Sequence, residues 1–315
     1  MAGKGKYYES QFEEATIELL RESHWQYTFG DDIHRKYTDP LIEEDLRTFL
    51  AAQYKDKKLT ASEVDGIVAN LRNTGGQNDY YALQNTFLLY RDGYDFTYSD
   101  SRDNPFRLQY IDFEHPDHNI FRCVNQFVME QGRENRRPDI LLFVNGIPVC
   151  IVELKNPTKQ NATIRDAHTQ ICTRYMRDIP ALLKYCALAV ISDGAKNELG
   201  TTYTPFEFFY EWKKIDNEDK AGKGLDTLRT LVRGALSPER ILEILRDYVY
   251  FPDPTKEDDT TEVVCRYPQF FATRKLRDHI LSHLRSVGGY LFRRHRVWKD
   301  LYHAVPCSPV GTALP

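Results

Sequence analysis

The chain has 315 residues, 41% of them hydrophobic, enough to bury a substantial core in one large domain with additions or in two domains. A formal net charge of −4 excludes a surface that is basic all over, so any nucleic-acid contact has to be local. No apolar run approaches the ~20 residues of a membrane helix and the N-terminus lacks a signal-peptide core, so no membrane is expected. The six cysteines are scattered, without Cys-x-x-Cys pairs or a matching histidine spacing. That speaks against a zinc site or a disulfide framework and fits a reducing cytoplasm.

From the N-terminus, residues Tyr8 to Ser23 read as an amphipathic helix. Phe12, Ala15, Leu19 and Leu20 supply the apolar stripe and Glu9, Glu13, Glu14 and Glu18 surround it. Helices are predicted near Leu41 to Tyr54 and Ala61 to Leu71, the second opened by a Thr60-x-x-Glu63 capping box. The run Asn73-Thr-Gly-Gly-Gln77 breaks the chain. A helix around Tyr80 to Tyr90 follows, then strands at Phe106 to Phe113 and Ile120 to Met129.

The run from Pro138 to Lys155 reads as two apolar strands folded over an Asn145-Gly146 turn. β-Branched and aromatic residues fill both arms, and Asn-Gly tolerates the positive φ of a tight hairpin. Asp139 enters the first arm, and Glu153 and Lys155 leave the second on one face, with Leu154 between them pointing the other way. Such charges are costly to bury unless paired or metal-bound. Two acidic oxygen donors and a lysine are what Mg²⁺-dependent phosphodiester hydrolysis requires. The carboxylates hold the hard cation, and the amine orients or activates the attacking water and offsets developing charge.

Register provides a condition. A strict two-residue turn pairs Val144 with Ile147 and Asp139 with Val152, which sends Glu153 to the face opposite Asp139 and forbids a shared ion. A three-residue loop of Val144-Asn145-Gly146, or an equivalent register break lower in the hairpin, brings both acids to one face. One of these is expected. Arg133, Arg136 and Arg137, just ahead of Pro138, offer a local basic patch.

After Lys155, Asn156-Pro157-Thr158 stops the strand, and Ile164 to Arg177 reads as a helix carrying Gln170 and Tyr175. Ala187 to Ile191 is a buried strand and Phe206 to Trp212 an aromatic one. Residues Asp216 to Gly224 form a polar linker. Ser237-Pro238 opens a helix with Ile241, Leu242, Leu245 and Val249 inward, and Pro252 to Thr261 is the best boundary. Arg266 to Leu284 is again helical.

Pro138-Asp139 with Glu153-Leu154-Lys155 resembles the PD-(D/E)xK nucleases. The wider run RRPDILLFVNGIPVCIVELKNPT resembles the N-terminal nuclease domain of the R subunit of type I restriction enzymes. The likeness extends from about Tyr8 to about Phe271, through NQFVMEQ, RDIPALLKYCALAVISDG, LSPERILEILRDYVYF and RYPQFFATRK. It implies an α/β, restriction-endonuclease-like fold, a mixed central sheet flanked by helices. It implies that a backbone carbonyl such as that of Leu154 completes the metal shell of Asp139 and Glu153, and that Glu13 on the early helix aids metal binding. It also implies a Gln-x-x-x-Tyr element beside the active site. Here Gln170 and Tyr175 are one residue further apart, so on an α-helix they diverge by roughly 140°; either Tyr175 is displaced or the helix is distorted.

The resemblance further implies double-stranded DNA as substrate, methyltransferase and specificity subunits as partners, and cleavage after ATP-driven translocation. Gln269 matches a glutamine that contacts adenine at the start of the motor. The expected division is a nuclease domain over 1–252, a linker and motor start over 253–289, and a tail over 290–315. That tail lacks apolar periodicity and holds no GxxxxGK[ST] loop, so the chain as written is not expected to hydrolyse ATP. Read one base later, suitable codons for Arg293 through Asp300 encode Gly-Ala-Thr-Gly-Cys-Gly-Lys-Thr, a phosphate-cradling loop, which makes a frame-shifted end one explanation of the tail. Two rivals remain: a stand-alone structure-specific nuclease such as a junction resolvase, and an inactive nuclease-fold scaffold for DNA binding or docking.

Overall fold

The computed structural model describes residues 2–100, 103–155, 163–216, 225–252 and 260–286, and their side chains except at 2–10 and 283–286. Seven strands form one mixed sheet whose order in space is the order in the chain: β1 (Gln26–Phe29), β2 (Phe121–Asn125), β3 (Ile140–Val144), β4 (Ile147–Leu154), β5 (Leu188–Ser192), β6 (Asn197–Gly200) and β7 (Tyr210–Glu211). The β1–β2 and β4–β5 pairs are parallel and the other four antiparallel. β3, β4 and β5 are buried at every position. Strands covered on both faces read as unbroken apolar runs, which is how they stand in the sequence.

One face of the sheet carries Val124, Leu141, Phe143, Ile151, Ala189 and Ile191. Against it pack Ile164, Ala167, Ile171, Tyr175 and Ile179 from a helical segment that follows β4. The N-terminal helix α1 (Ala2–Glu22) precedes β1. Helices α2 (Glu43–Gln53), α3 (Ala61–Asn73) and α4 (Asp79–Asp92) fill the excursion between β1 and β2. The capping box of α3 forms as expected: the Thr60 hydroxyl accepts from the Glu63 amide at 3.2 Å, and the Glu63 carboxylate accepts from the Thr60 amide at 2.9 Å.

Three predicted strands are shorter than expected. The one from Phe106 ends at Leu108, pairs with Tyr94–Phe96 and stays outside the main sheet, because the Gln109 amide turns to the Tyr54 hydroxyl at 2.6 Å. The strand from Ile120 to Met129 is interrupted at Gln126, whose φ is 54°, and resumes as Met129–Gln131 in a separate hairpin with Glu134–Arg136. The aromatic stretch near Phe206 becomes a 3₁₀ turn, Phe206–Phe208, followed by the two residues of β7.

The chain divides into two units at Tyr267/Pro268. The first contains a strand pair, Val249–Tyr250 with Val263–Val264. Helix Tyr267–Ser286 runs into the second and carries Gln269, whose side chain is exposed. The tail beyond 286, with the frame-shifted reading around Trp298, lies outside the described residues. Among those residues no helix is long and apolar enough to cross a membrane.

Candidate active site

The hairpin meets the register condition by the second of the two expected routes, a break lower in the ladder. Asn145 and Gly146 have φ of 51° and 75°, so the turn is the strict two-residue kind with Val144 opposite Ile147. The break comes lower: Phe143 pairs with Pro148 but Leu142 with Cys150, leaving Val149 as the extra residue of a bulge. Pro148 has no N–H to give to the ladder, a local reason for irregularity in a central strand. Below the bulge Ile140 pairs with Val152, and the register continued by one residue sets Asp139 against Glu153.

Glu153 is 1% exposed, and its carboxyl group is held by a closed ring of side chains. The Lys155 ammonium donates to Glu153 Oε1 at 2.8 Å and to Gln170 Oε1 at 2.6 Å. Gln170 Nε2 donates to the Tyr175 hydroxyl at 2.7 Å, and that hydroxyl donates to Glu153 Oε2 at 3.3 Å. The helix that carries Gln170 and Tyr175 is distorted where the spacing required it. After α5 (Ile164–Thr169) the chain runs as a π-helix over Gln170–Tyr175. In that winding, residues five apart return to one side, so Tyr175 is not displaced.

Burial, followed by the nearby Asp139, pushes the Glu153 carboxyl up to about 8; Lys155 and Tyr175 pull the other way. Burial and the Glu153 charge raise the Tyr175 phenol, so it stays a donor. Asp139 Oδ2 accepts from the Leu154 amide at 2.8 Å, which ties the acid to the strand end that carries Glu153 and Lys155. Two facing carboxylates, one fully desolvated, are the donor set that a hard divalent cation neutralises. These residues fit a Mg²⁺ ion.

Glu13 is not brought into that set. It accepts from Asn125 Nδ2 at 2.6 Å and from Gln126 Nε2 at 3.0 and 3.1 Å. Asn125 lies opposite Ile140 in the ladder, so by strand alternation it faces away from the side bearing Leu141, Ile151 and Glu153. Of the upstream arginines, Arg136 is engaged by Asp178 at 2.7 Å and Glu134 at 2.5 Å, while Arg133 and Arg137 are exposed.

Among the described residues, the group of three His, Cys, Asp or Glu side chains with ligand atoms within 4.8 Å of one another is Asp112, His115 and His118. A reading built on cysteine spacing passes over it. The signal was present as Asp-x-x-His-x-x-His.

The family described as the type I restriction enzyme R protein N terminus matches residues 6–208. Over 282 residues the chain is 29% identical to the type I restriction enzyme HindI endonuclease subunit of Haemophilus influenzae, covering 86% of this chain and 26% of that one. Over 303 residues it is 26% identical to the putative type I restriction enzyme MjaIXP endonuclease subunit of Methanocaldococcus jannaschii, covering 86% and 27%. The EcoprrI endonuclease subunit of Escherichia coli is 28% identical over 219 residues, 67% of this chain and 64% of that one. The chain therefore spans about a quarter of the length of the first two relatives.

Proposed function

The chain belongs to the family of type I restriction enzyme R protein N termini, and from that premise we propose that it is the DNA-cleaving domain of such a subunit, with a PD-(D/E)xK site built from Asp139, Glu153 and Lys155. The observation that carries this reading is the ring in which Lys155 and Tyr175 each hold one oxygen of the buried Glu153 while Gln170 joins the two. A solvated charged hairpin has no reason to organise such a ring around a fully desolvated acid.

Asp139 and Glu153 would hold a Mg²⁺ ion, which would supply Lewis acidity to a phosphodiester oxygen and acidify a water for attack. The chain's own residues do the rest. Lys155 orients that water and offsets charge as it develops. Gln170 restrains the ammonium, and Tyr175 fixes the rotation of the Glu153 carboxylate. Asp139, bonded to the Leu154 amide, keeps the two strand ends in step. Exposed Arg133 and Arg137 give double-stranded DNA a local foothold on an otherwise acidic chain.

Within the intact enzyme this domain precedes an ATP-driven motor whose start, over 253–289, includes Gln269 as an adenine contact. Methyltransferase and specificity subunits direct it to DNA in the cytoplasm. The excursion of α2, α3 and α4 between β1 and β2 favours this over a stand-alone resolvase, which has no use for it.

Nicking of supercoiled plasmid, in Mg²⁺ and in chelator, tests the reading, with the chain alone and with its partner subunits and ATP. Cleavage is expected only with Mg²⁺ and should fall at least about a hundredfold in Lys155→Ala. Wild type and Lys155→Ala that bind DNA equally and fail alike to cut it would identify a scaffold instead.

A further inference from the structure

The loop between strand Phe106–Leu108 and β2 is built around one buried carboxylate. Asp112 Oδ1 accepts from the amides of Glu114 and His115, each at 3.0 Å. Asp112 Oδ2 accepts from Gln53 Nε2 at 3.0 Å and lies 3.0 Å from His118 Nδ1 and 3.3 Å from His115 Nδ1. The two imidazoles are stacked, with centroids 4.8 Å apart and planes 24° from parallel, so both turn the same nitrogen to the same oxygen.

We propose that Asp112, His115 and His118 form a metal site separate from the Asp139–Glu153 pair, taking a divalent transition ion of the Zn²⁺ class. Donors about 2.05 Å from a tetrahedral ion sit about 3.3 Å from each other, close to the 3.0 and 3.3 Å between the Asp112 oxygen and the two imidazole nitrogens. An ion can thus be taken up between the carboxylate and the imidazoles with little rearrangement. Two imidazoles select a borderline ion over Mg²⁺ or Ca²⁺, which demand oxygen.

The loop is held in this shape by contacts that need no ion. Pro116 opens a 3₁₀ turn, Pro116–His118. The Asn119 side chain accepts from the Asp112 amide at 2.9 Å and donates to the Asp112 carbonyl at 2.7 Å. Such outer contacts orient ligands before an ion arrives. Asn119 Oδ1 also accepts from Asn145 Nδ2 at 2.8 Å, inside the β3–β4 turn. An ion at Asp112 therefore pins the two histidines within a loop that Asn119 already anchors to the end of the hairpin remote from Asp139 and Glu153, a structural role with at least one coordination position left to water or to a neighbouring molecule.

The test uses the full chain without a histidine tag, stripped with chelator and titrated with Zn²⁺, and with Co²⁺ followed by its visible d–d absorption. His115 and His118 have side chains 64% and 50% exposed, so their replacement should spare the fold, which circular dichroism melting checks. One Zn²⁺ per chain is expected at this site, with excess Mg²⁺ failing to displace it. Affinity should drop at least about tenfold in His118→Ala and the Co²⁺ bands should vanish in His115→Ala/His118→Ala. Glu153→Gln should keep both signals, which separates this site from the catalytic one. Zn²⁺ uptake unchanged in the double variant, or absent in wild type, overturns the proposal.

Discussion

Gln170 Nε2 and the Tyr175 hydroxyl meet at 2.7 Å although the residues are five apart, because the helix between them is wound as π. An extra residue relative to a four-residue spacing is absorbed by that wider turn, and the side chains keep a common direction. Deleting the exposed Thr173 removes the extra residue and should return the segment to an α-helix with the glutamine–tyrosine contact kept. A melting temperature near that of wild type, with cleavage within a fewfold, is the expected result. Tyr175→Phe, by contrast, strips a hydrogen bond from a buried carboxylate and should cost about 1–3 kcal/mol by urea denaturation. If the deletion variant unfolds while Tyr175→Phe is neutral, the π-turn serves packing and not the ring.

The charged residues of the hairpin were legible because they interrupt apolar strands at the ends, where alternation alone gives Glu153 and Lys155 a shared face. The bulge at Val149 was legible only as a need. Asn145-Gly146 dictates the tight turn locally, whereas where the slip falls below it shows only in the paired register of β3 and β4; Pro148 was the overlooked local hint. The Gln170–Tyr175 spacing likewise posed two alternatives that only the helix winding decides. Strand signals at Gln109 to Phe113 were overridden by side chains outside the stretch, Asn119 a few residues on and Tyr54, which lies 55 residues before Gln109, and the latter no local pattern contains.

Glu153 makes the stability of the metal-free protein depend on pH. Its carboxyl, at about 8 in the fold against an ordinary 4.5, is raised first by burial and then by Asp139. The native state thus keeps a proton that the unfolded chain has released. That contribution is complete below about pH 4.5 and is lost progressively as pH rises to about 8. Glu153→Gln fixes the neutral form. In chelator it should exceed wild type at pH 9 by on the order of a few kcal/mol, with little difference at pH 5. Parallel urea-stability profiles across that range would refute the buried-acid account.

Gly146 is fixed by its neighbours as well as by its turn. With φ at 75°, a Cβ here would lie 2.1 Å from the Ile42 carbonyl oxygen, while the Ile42 amide donates to the Gly146 carbonyl at 2.9 Å. Neither partner can retreat without breaking that bond. Gly146→Ala should therefore destabilise by about 2–4 kcal/mol, read from the urea midpoint at unchanged slope. A loss under about 0.5 kcal/mol, the range of ordinary surface changes, would mean that the turn relaxes freely.

Glu13 separates holding a ligand from being one. Its carboxylate gathers the side chains of Asn125 and Gln126, and the Gln126 amide in turn donates to the Asp139 carbonyl at 3.0 Å. This puts Glu13 two contacts behind the acid, through the left-handed residue that ends β2. Glu13→Ala should let that strand end drift and lower cleavage about tenfold. Mg²⁺ affinity, measured by calorimetry, should stay within about threefold, since the ligands themselves remain. Asp139→Asn removes a charged donor and should lose Mg²⁺ binding and cleavage together. Should Glu13→Ala weaken Mg²⁺ as severely as Asp139→Asn does, Glu13 joins the ion directly when DNA and metal are bound, and the contact with Asn125 describes only the metal-free protein.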